Sequence, residues 1–487
     1  MTYAQVPPDI QAYRQEPLGD YSSVRRGIMD GNHVRTIYFN TSEVTHWPDG
    51  MGGEWPKGTG HNYIDGLSLL FGAKVHLPGG AVITPIEGHY RAWYDFDPVL
   101  GSQDAWDLEP VPGYIAQSSL TPAISNSPQT WPASWNNKWH GMNGTDSLHG
   151  DLETYFVVDD SKDAEYARPP YNFFPLPSDS LRMGLGLRVE ARALQWNADT
   201  LARDIIFFVY DVINLSDCDY DTAAFGVLLT PGVGSYQSVR PNQNVTVSTT
   251  EDLLIATATS GQGYPDNWQT GYIGLMFLET PAKSATDTVS AGIASVANHW
   301  VADHGPSGFI LQNDSTLWGI MSSGVVDTVY NNANLVTVVG TRTFAMKRWT
   351  SHRFGVAFVF AQTRDTLSLR AAYARRMAAA GYRTPSSFTG VNPLAAQGIP
   401  TQASLDQNYP NPFNPTTVVS FQLPVASNVW LAVYDLLGRE VAVLVNERKA
   451  PGSYKVKFDG SSLASGVYFY RLQAGDFVQS RKLLSLR

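Results

Sequence analysis

The sequence predicts a mainly β protein: a β-sandwich body with a loop-rich N-terminal region and one C-terminal helix, followed by a small immunoglobulin-like β-sandwich. Three observations carry this expectation. Apolar residues recur either with the two-residue alternation of half-buried strands or in the short continuous runs of strands covered on both faces. Gly, Pro, Trp and Tyr are plentiful (42, 30, 13 and 24 residues) while only 16% of residues are charged, a mix that favours strands, turns and aromatic packing over long helices. Past residue 382 the pattern gives way to an aperiodic stretch of Pro, Gly, Ser, Thr and Gln, and then a second set of short strands begins.

With 487 residues the chain exceeds one ordinary core. Residues 1–180, rich in Trp, Pro and Gly, read as irregular loops around a few strands such as "GLSLLFGAKVHL" and "TYFVVDD". Residues 181–382 read as strand after strand. In "LRVEARALQW", Leu187, Val189, Ala191 and Ala193 alternate with Arg188, Glu190 and Arg192, whereas "DIIFFVYDVIN" is apolar throughout, as in a strand covered on both faces. "FGVLLT", "DLLIATAT", "GYIGLMFLE", "LWGIMS", "NLVTVV" and "RFGVAFVFA" are further strand candidates. One helix is expected over 365–380, with Leu369, Tyr373, Met377 and Ala380 as its packed stripe, Arg370 and Arg375 off it, and Gly381 as the stop. Residues 383–404 form the linker, and 405–487 a compact strand-rich module.

The module's strands are plain. Val419, Phe421 and Leu423 share one face of "TTVVSFQLP", Val429, Leu431 and Val433 one face of "NVWLAVYD", and Tyr454, Val456 and Phe458 one face of "GSYKVKFDG". Gly438 can take the positive φ that the "LLGRE" turn needs. Before the first strand stand Asn-Pro steps, which keep the chain extended because proline excludes the helical region for its predecessor. The ordered set "NYPNPFNPTT", "FQLP", "VYDLLGREV", "GSYKVKFDG", "LASGVYFYRL" and "GDFVQSRKLL" resembles the C-terminal sorting domain, type A, of the type IX (Por) secretion system. The residues that carry it are Asn408, Pro410, Asn411, Pro412, Phe413, Asn414, Pro415, Tyr434, Asp435, Gly438, Arg439, Gly452, Gly466, Tyr468 and Lys482. The resemblance implies export across the inner membrane by a signal peptide, recognition of the module by an outer-membrane translocon and its sorting machinery, secretion or surface attachment, and a Bacteroidota-like source. The start, "MTYAQVPP", has neither a basic nor an apolar leader region; its "YAQ" resembles the small-residue end of a signal peptide, so the expectation is that the leader is absent from this sequence. The body weakly resembles those of large exported proteins ending in the same module, which implies a β-sandwich and no assigned reaction.

Charge is consistent with a handle distinct from its cargo. Residues 405–487 hold nine Lys and Arg against six Asp and Glu, so the rest of the chain carries −13 of a net −10. That balance argues against a nucleic-acid partner, and no apolar run is long enough to span a bilayer as a helix. Asp followed by Ser or Thr and an aliphatic residue recurs seven times, resembling the O-glycosylation site of exported Bacteroidota proteins. Its candidate acceptors are Ser147, Ser180, Thr200, Thr222, Thr288 and Thr328; the seventh site, Asp365-Thr366, reads better as a helix start.

Catalytic chemistry is faint. Asp217, Asp219 and Asp221 alternate in "SDCDYD" as hard-cation ligands do, a calcium candidate without the glycine bend or later bidentate carboxylate of a calcium loop; the other reading is a solvated turn. Asp95, Asp97, Asp104 and Asp107 offer a second ion or ligand candidate. Asp151 and Glu153, near Trp135, Trp139 and His140, are the carboxylate pair to test for glycoside hydrolysis. Trp131, Trp135 and Trp139 recur every four residues, either stacking on sugars or anchoring a loop layer as core. Cys218, between two aspartates, is a poor nucleophile. The reading is an exported, non-enzymatic surface or extracellular component, structural, adhesive or self-assembling, with surface polysaccharide as a further partner; the alternative is a secreted glycan-binding protein or glycoside hydrolase.

Overall fold

A computed structural model describes residues 6–46, 51–89, 108–237, 239–281, 292–300, 313–384, 403–405, 407–408, 411–423, 427–436, 438–449, 452–461, 463–475 and 477–485. The chain divides into two units, Met1–Arg383 and Thr384–Arg487. Both are mainly β. The aspartates at 95, 97, 104 and 107, the acceptor Thr288, Pro410 and residues 385–402 of the linker lie outside the described residues.

The first unit packs two antiparallel sheets face to face. One runs, edge to edge, Arg26–Met29, Thr36–Phe39, Val44–His46, Ile64–Ala73, Tyr220–Pro231, Leu335–Thr341 and Ile293–Trp300. The other runs Val329–Ala333, Gln243–Ser248, Leu253–Ala258, Tyr272–Glu279, Ser351–Ala361, Ile205–Asn214, Leu187–Gln195, Phe156–Asp159 and Glu109–Pro110. Their facing side chains merge into one core in which Phe71 and Phe225 meet Phe208, Tyr210 and Phe354. At its centre the rings of Phe225 and Phe354 stack with centroids 4.1 Å apart. Strands from residues 26–87 therefore share a sheet with strands from 220–341, and the loop-rich N-terminal region supplies part of the sandwich itself.

The continuous run 205–214 behaves as its pattern predicts. Phe208 and Tyr210 face the partner sheet, while Ile205, Phe207 and Val209 face a second core beneath a helix. That helix, Arg364–Ala379, is capped by Thr363, whose side chain accepts from Thr366 N–H. It buries Leu367, Ala371, Tyr373, Ala374, Met377 and Ala378, a stripe partly offset from the expected one: Leu369 and Ala380 are only half-buried. Arg370 is not on a solvated face either. It pairs with buried Asp204 and donates to Phe360 O (2.5 Å), while Arg375 reaches Glu251 O and Asp252 O.

Two further helices were not expected. Pro8–Arg14 packs Ile10 against Ile213 and Leu215. "LWGIMS", expected as a strand, lies largely in the helix Asp314–Met321. Asn313 caps it by accepting from Thr316 N–H (2.9 Å), and Leu317 and Met321, one turn apart, bury against Leu70, Ala224 and Val338 on the outer face of the first sheet. A five-residue apolar run cannot distinguish the two periods; the cap ahead of it can.

Candidate functional site

The second unit builds its own interior. Ser404–Leu405, Thr416–Leu423 and Gly452–Asp459 form one sheet; Glu440–Lys449, Ser427–Tyr434, Gly466–Ala474 and Phe477–Ser485 form the other. Val419, Phe421, Leu423, Val429, Leu431 and Val433, the alternating residues of the first two long strands, join Phe413, Phe458, Tyr470 and Leu472 in a core drawn wholly from 405–483.

The Asn-Pro stretch is a strap laid along the last strand. Prolines cannot donate to a backbone ladder, so side chains make most of the links. Gln407 Nε2 and Asn411 Nδ2 both donate to Lys482 O (2.7 and 3.3 Å), and Asn411 Oδ1 accepts from Leu484 N–H (2.8 Å). Buried Asn408 donates its N–H to Tyr470 Oη (2.8 Å) and its amide to Thr417 Oγ1 (2.9 Å). Phe413 is the strap's anchor: its N–H donates to Leu484 O (2.9 Å) and its ring lies in the core 6.0 Å from Phe458. Gly460 makes room for it, since a Cβ there would sit 2.7 Å from the ring. Pro412, Asn414 and Pro415 are exposed.

The other signature residues shape turns and edges. Asp435 closes the "DLLGR" turn by accepting from Arg439 N–H (3.0 Å) and Nε (2.7 Å), with Gly438 at φ +76°. Tyr434 is half-buried, with the Arg471 guanidinium 5.9 Å from its ring centre. Gly452 pairs with Leu423 and Gly466 with Ser485, and Tyr468 Oη donates to Ala464 O (3.1 Å). Lys482 acts through its backbone, its side chain being exposed. The residues the sequence did not single out are Gln407, a donor beside Asn408, and the strap's receivers Thr417 and Tyr470. They are distant in sequence and join only once the sheets close.

The first unit distributes its candidates differently. Asp217, Asp219 and Asp221 lie on the corner that carries the chain from one sheet to the other. Each meets a cation of the chain: Asp217 pairs with Arg14 (2.7 Å), Asp219 with Lys347 and Arg348 (3.9 and 4.0 Å), Asp221 with Lys347 (2.8 Å). Among the described residues no group of three or more His, Cys, Asp or Glu could hold a metal ion. Burial first, then Asp217 and Asp219, push the Cys218 thiol pKa up, away from the reactive thiolate.

Asp151 and Glu153 do not form a facing pair. Glu153 is fully buried, accepting from Trp139 Nε1 (2.7 Å) and Met142 N–H (3.0 Å) with Arg192 at 3.5 Å; exposed Asp151 accepts from the backbones of Asn197 and Ala198. Trp135 and Trp139 are buried with Tyr155 and Val157, and half-buried Trp131 packs beside them as a loop layer. Of the acceptor hydroxyls, Ser180, Thr200 and Thr328 belong to exposed residues and Ser147 and Thr222 to half-buried ones. Among the described residues no helix is long and apolar enough to cross a membrane.

Residues 407–485 match the family described as the secretion system C-terminal sorting domain. No curated protein matches the chain. Among solved structures, a polysaccharide lyase matches at 9% identity over 64% of this chain, with a TM-score of 0.20; the match spans only 36% of the lyase. PorZ, a surface component of the type IX secretion system of Porphyromonas gingivalis, matches at 12% identity over 95% of this chain and 51% of its own, with a TM-score of 0.13. Likenesses this slight carry no argument. The family match and the separately cored unit agree, and the chain ends in a type IX secretion system C-terminal sorting domain.

Proposed function

We propose that the chain is a cargo of type IX secretion whose first unit is a non-enzymatic surface or extracellular component, structural, adhesive or self-assembling. The observation that carries the export half is the sorting-domain match over 407–485, on a unit with a complete core of its own. The translocon and its sorting machinery are the implied partners. Exposed Val443, Phe469 and Val478 on the four-stranded sheet give such machinery apolar contacts beyond the strap.

The passenger half is supported by what its suggestive residues are used for. The aspartates of the sheet corner, the Asp151–Glu153 pair and the Trp131–Trp139 series all serve packing or local hydrogen bonds. Calcium at Asp217, Asp219 and Asp221 is a minor reading, because it would have to displace Arg14 and Lys347. Glycosylation at Ser180, Thr200 and Thr328 is compatible with their exposure. The glycan-binding alternative keeps a place because exposed aromatic side chains occur elsewhere on this unit.

Deleting residues 405–487 tests the export reading. The truncated protein is expected to fold and accumulate in the periplasm, measured by fractionation and protease accessibility on intact cells; normal surface display or secretion without the module would refute it.

A further inference from the structure

Three loops of the first unit meet where strand Ile64–Ala73 begins and strand Tyr220–Pro231 ends. They are residues 54–63, the loop after Pro231, and a hairpin made by Gln262–Gly263 and Trp268–Gln269. Backbone hydrogen bonds tie them together: Gly232 N–H to Tyr63 O (3.0 Å), Gly234 N–H to Asn62 O (2.9 Å) and Tyr264 N–H to Gly234 O (2.9 Å). Two buried carboxylates hold them from beneath. Asp65 accepts from Ser235 Oγ (2.6 Å) and pairs with Arg240 (3.0 Å); Glu54 accepts from Gly58 and Gly60 N–H (2.9 and 2.7 Å) and pairs with Arg35. Burying charge costs free energy even when it is paired. Here it fixes loop backbones that apolar packing alone would leave loose.

Flat rings stand on this base. The His61 ring stacks on Trp268 with centroids 3.8 Å apart and planes within 7°, and Trp268 Nε1 donates to Tyr264 O (3.1 Å). Tyr264 and Tyr236, on the two adjoining loops, are 42% and 37% exposed, in contrast to the buried Trp135, Trp139 and Tyr155. Exposed Asn267, Gln262, Gln269 and Gln237 lie around them. Of the exposed loop residues here, Lys57 and Asp266 carry opposite charges, and burial lowers the His61 pKa against the pull of Glu54.

We propose that this loop cluster binds a neutral polysaccharide, with Tyr264 and Tyr236 covering the C–H faces of sugar rings and the amides of Asn267, Gln262 and Gln237 meeting the hydroxyls. A sugar ring has an apolar face and a polar rim, and exposed tyrosine rings on tied loops with amides beside them complement both. Single-stranded nucleic acid also stacks on aromatics but needs a cationic groove, which this acidic unit does not supply here. The assignment concerns the first unit alone and does not depend on the export route.

The test is electrophoresis of the purified full-length protein through gels containing mixed-linkage β-glucan, xyloglucan, galactomannan or pullulan, with anionic alginate as the comparison. Retardation is expected in at least one neutral polysaccharide and not in alginate. The double variant Tyr236→Ala/Tyr264→Ala should bind ~10-fold or more weakly while melting at the wild-type temperature, because both side chains are exposed; Leu181→Ala, at a separate exposed position, should bind as wild type. No retardation in any neutral gel, undiminished retardation of the double variant, or retardation in alginate alone would overturn the proposal. Secretion of the protein is scored separately, so failure here leaves the export reading intact, and the reverse.

Discussion

Glu109 sits 4% exposed at the start of an edge strand, beside Asp159 and Asp20. Burial is the largest influence on its carboxyl, Lys162 opposes it, and the two aspartates add to it, so the pKa is pushed up to about 7 from an ordinary 4.5. A carboxyl that holds its proton more tightly folded than unfolded favours the fold at low pH. That contribution is complete below about 4.5 and is lost as pH rises through about 7. Glu109→Gln should therefore gain stability relative to wild type as pH rises from 4.5 to 8, read as the difference between urea midpoints at the two values. A difference that does not change with pH would show that Glu109 is solvated in solution. The same scale separates signal from noise in the sequence. Asn408, Asn411 and Phe413 stand in a motif and prove to be working contacts, to Tyr470, Lys482 and Leu484. Glu153 looked chemical only because the chain places tryptophans nearby; its partners, Trp139 Nε1 and Arg192, show it to be a buried tie.

Elements were legible where a single period ran long enough. The strand 187–195, the doubly covered 205–214 and the helix 364–379 each repeat their pattern over nine or more residues. The helix 314–321 was not, because its apolar part is short and the reason it sits flat on the sheet lies elsewhere. Gly72, Gly226 and Gly340 come from three neighbouring strands and leave a floor without side chains beneath it. A Cβ at Gly226 would stand 2.7 Å from Met321 Sδ, and one at Gly340 only 2.2 Å from Met321 O. The Gly226 Cβ would also stand 2.7 Å from Val339 O, so both positions meet backbone, and the approach at Gly340 is the closer of the two. Gly340→Ala should thus destabilise the first unit by about 1–3 kcal/mol through overpacking, more than Gly226→Ala does, by chemical denaturation. Equal effects would mean that the helix moves freely over the sheet.

At the scale of the whole molecule, the sequence shows the division better than the body. Among the described residues the second unit has seven strands joined mostly in order, so alternation and turn residues nearly suffice. The first unit pairs Ile64–Ala73 with Tyr220–Pro231, and Ile205–Asn214 with Ser351–Ala361, across some 150 residues in each case. Nothing local announces such pairings, and the N-terminal region therefore reads as loops when it is part of a sheet. Among the described residues the main cores of the two units share none: one draws on 29–360, the other on 405–483. Cooperative unfolding follows shared cores, so each unit is expected to melt as its own transition. Phe421→Ala, inside the second core, should destabilise that transition by about 3–5 kcal/mol and leave the other unmoved; Phe354→Ala should do the reverse. Differential scanning calorimetry of the full chain resolves the two. If either substitution shifted both transitions together, the sorting domain would be part of the passenger's cooperative fold, and a module that can be gripped and removed without disturbing its cargo would be ruled out.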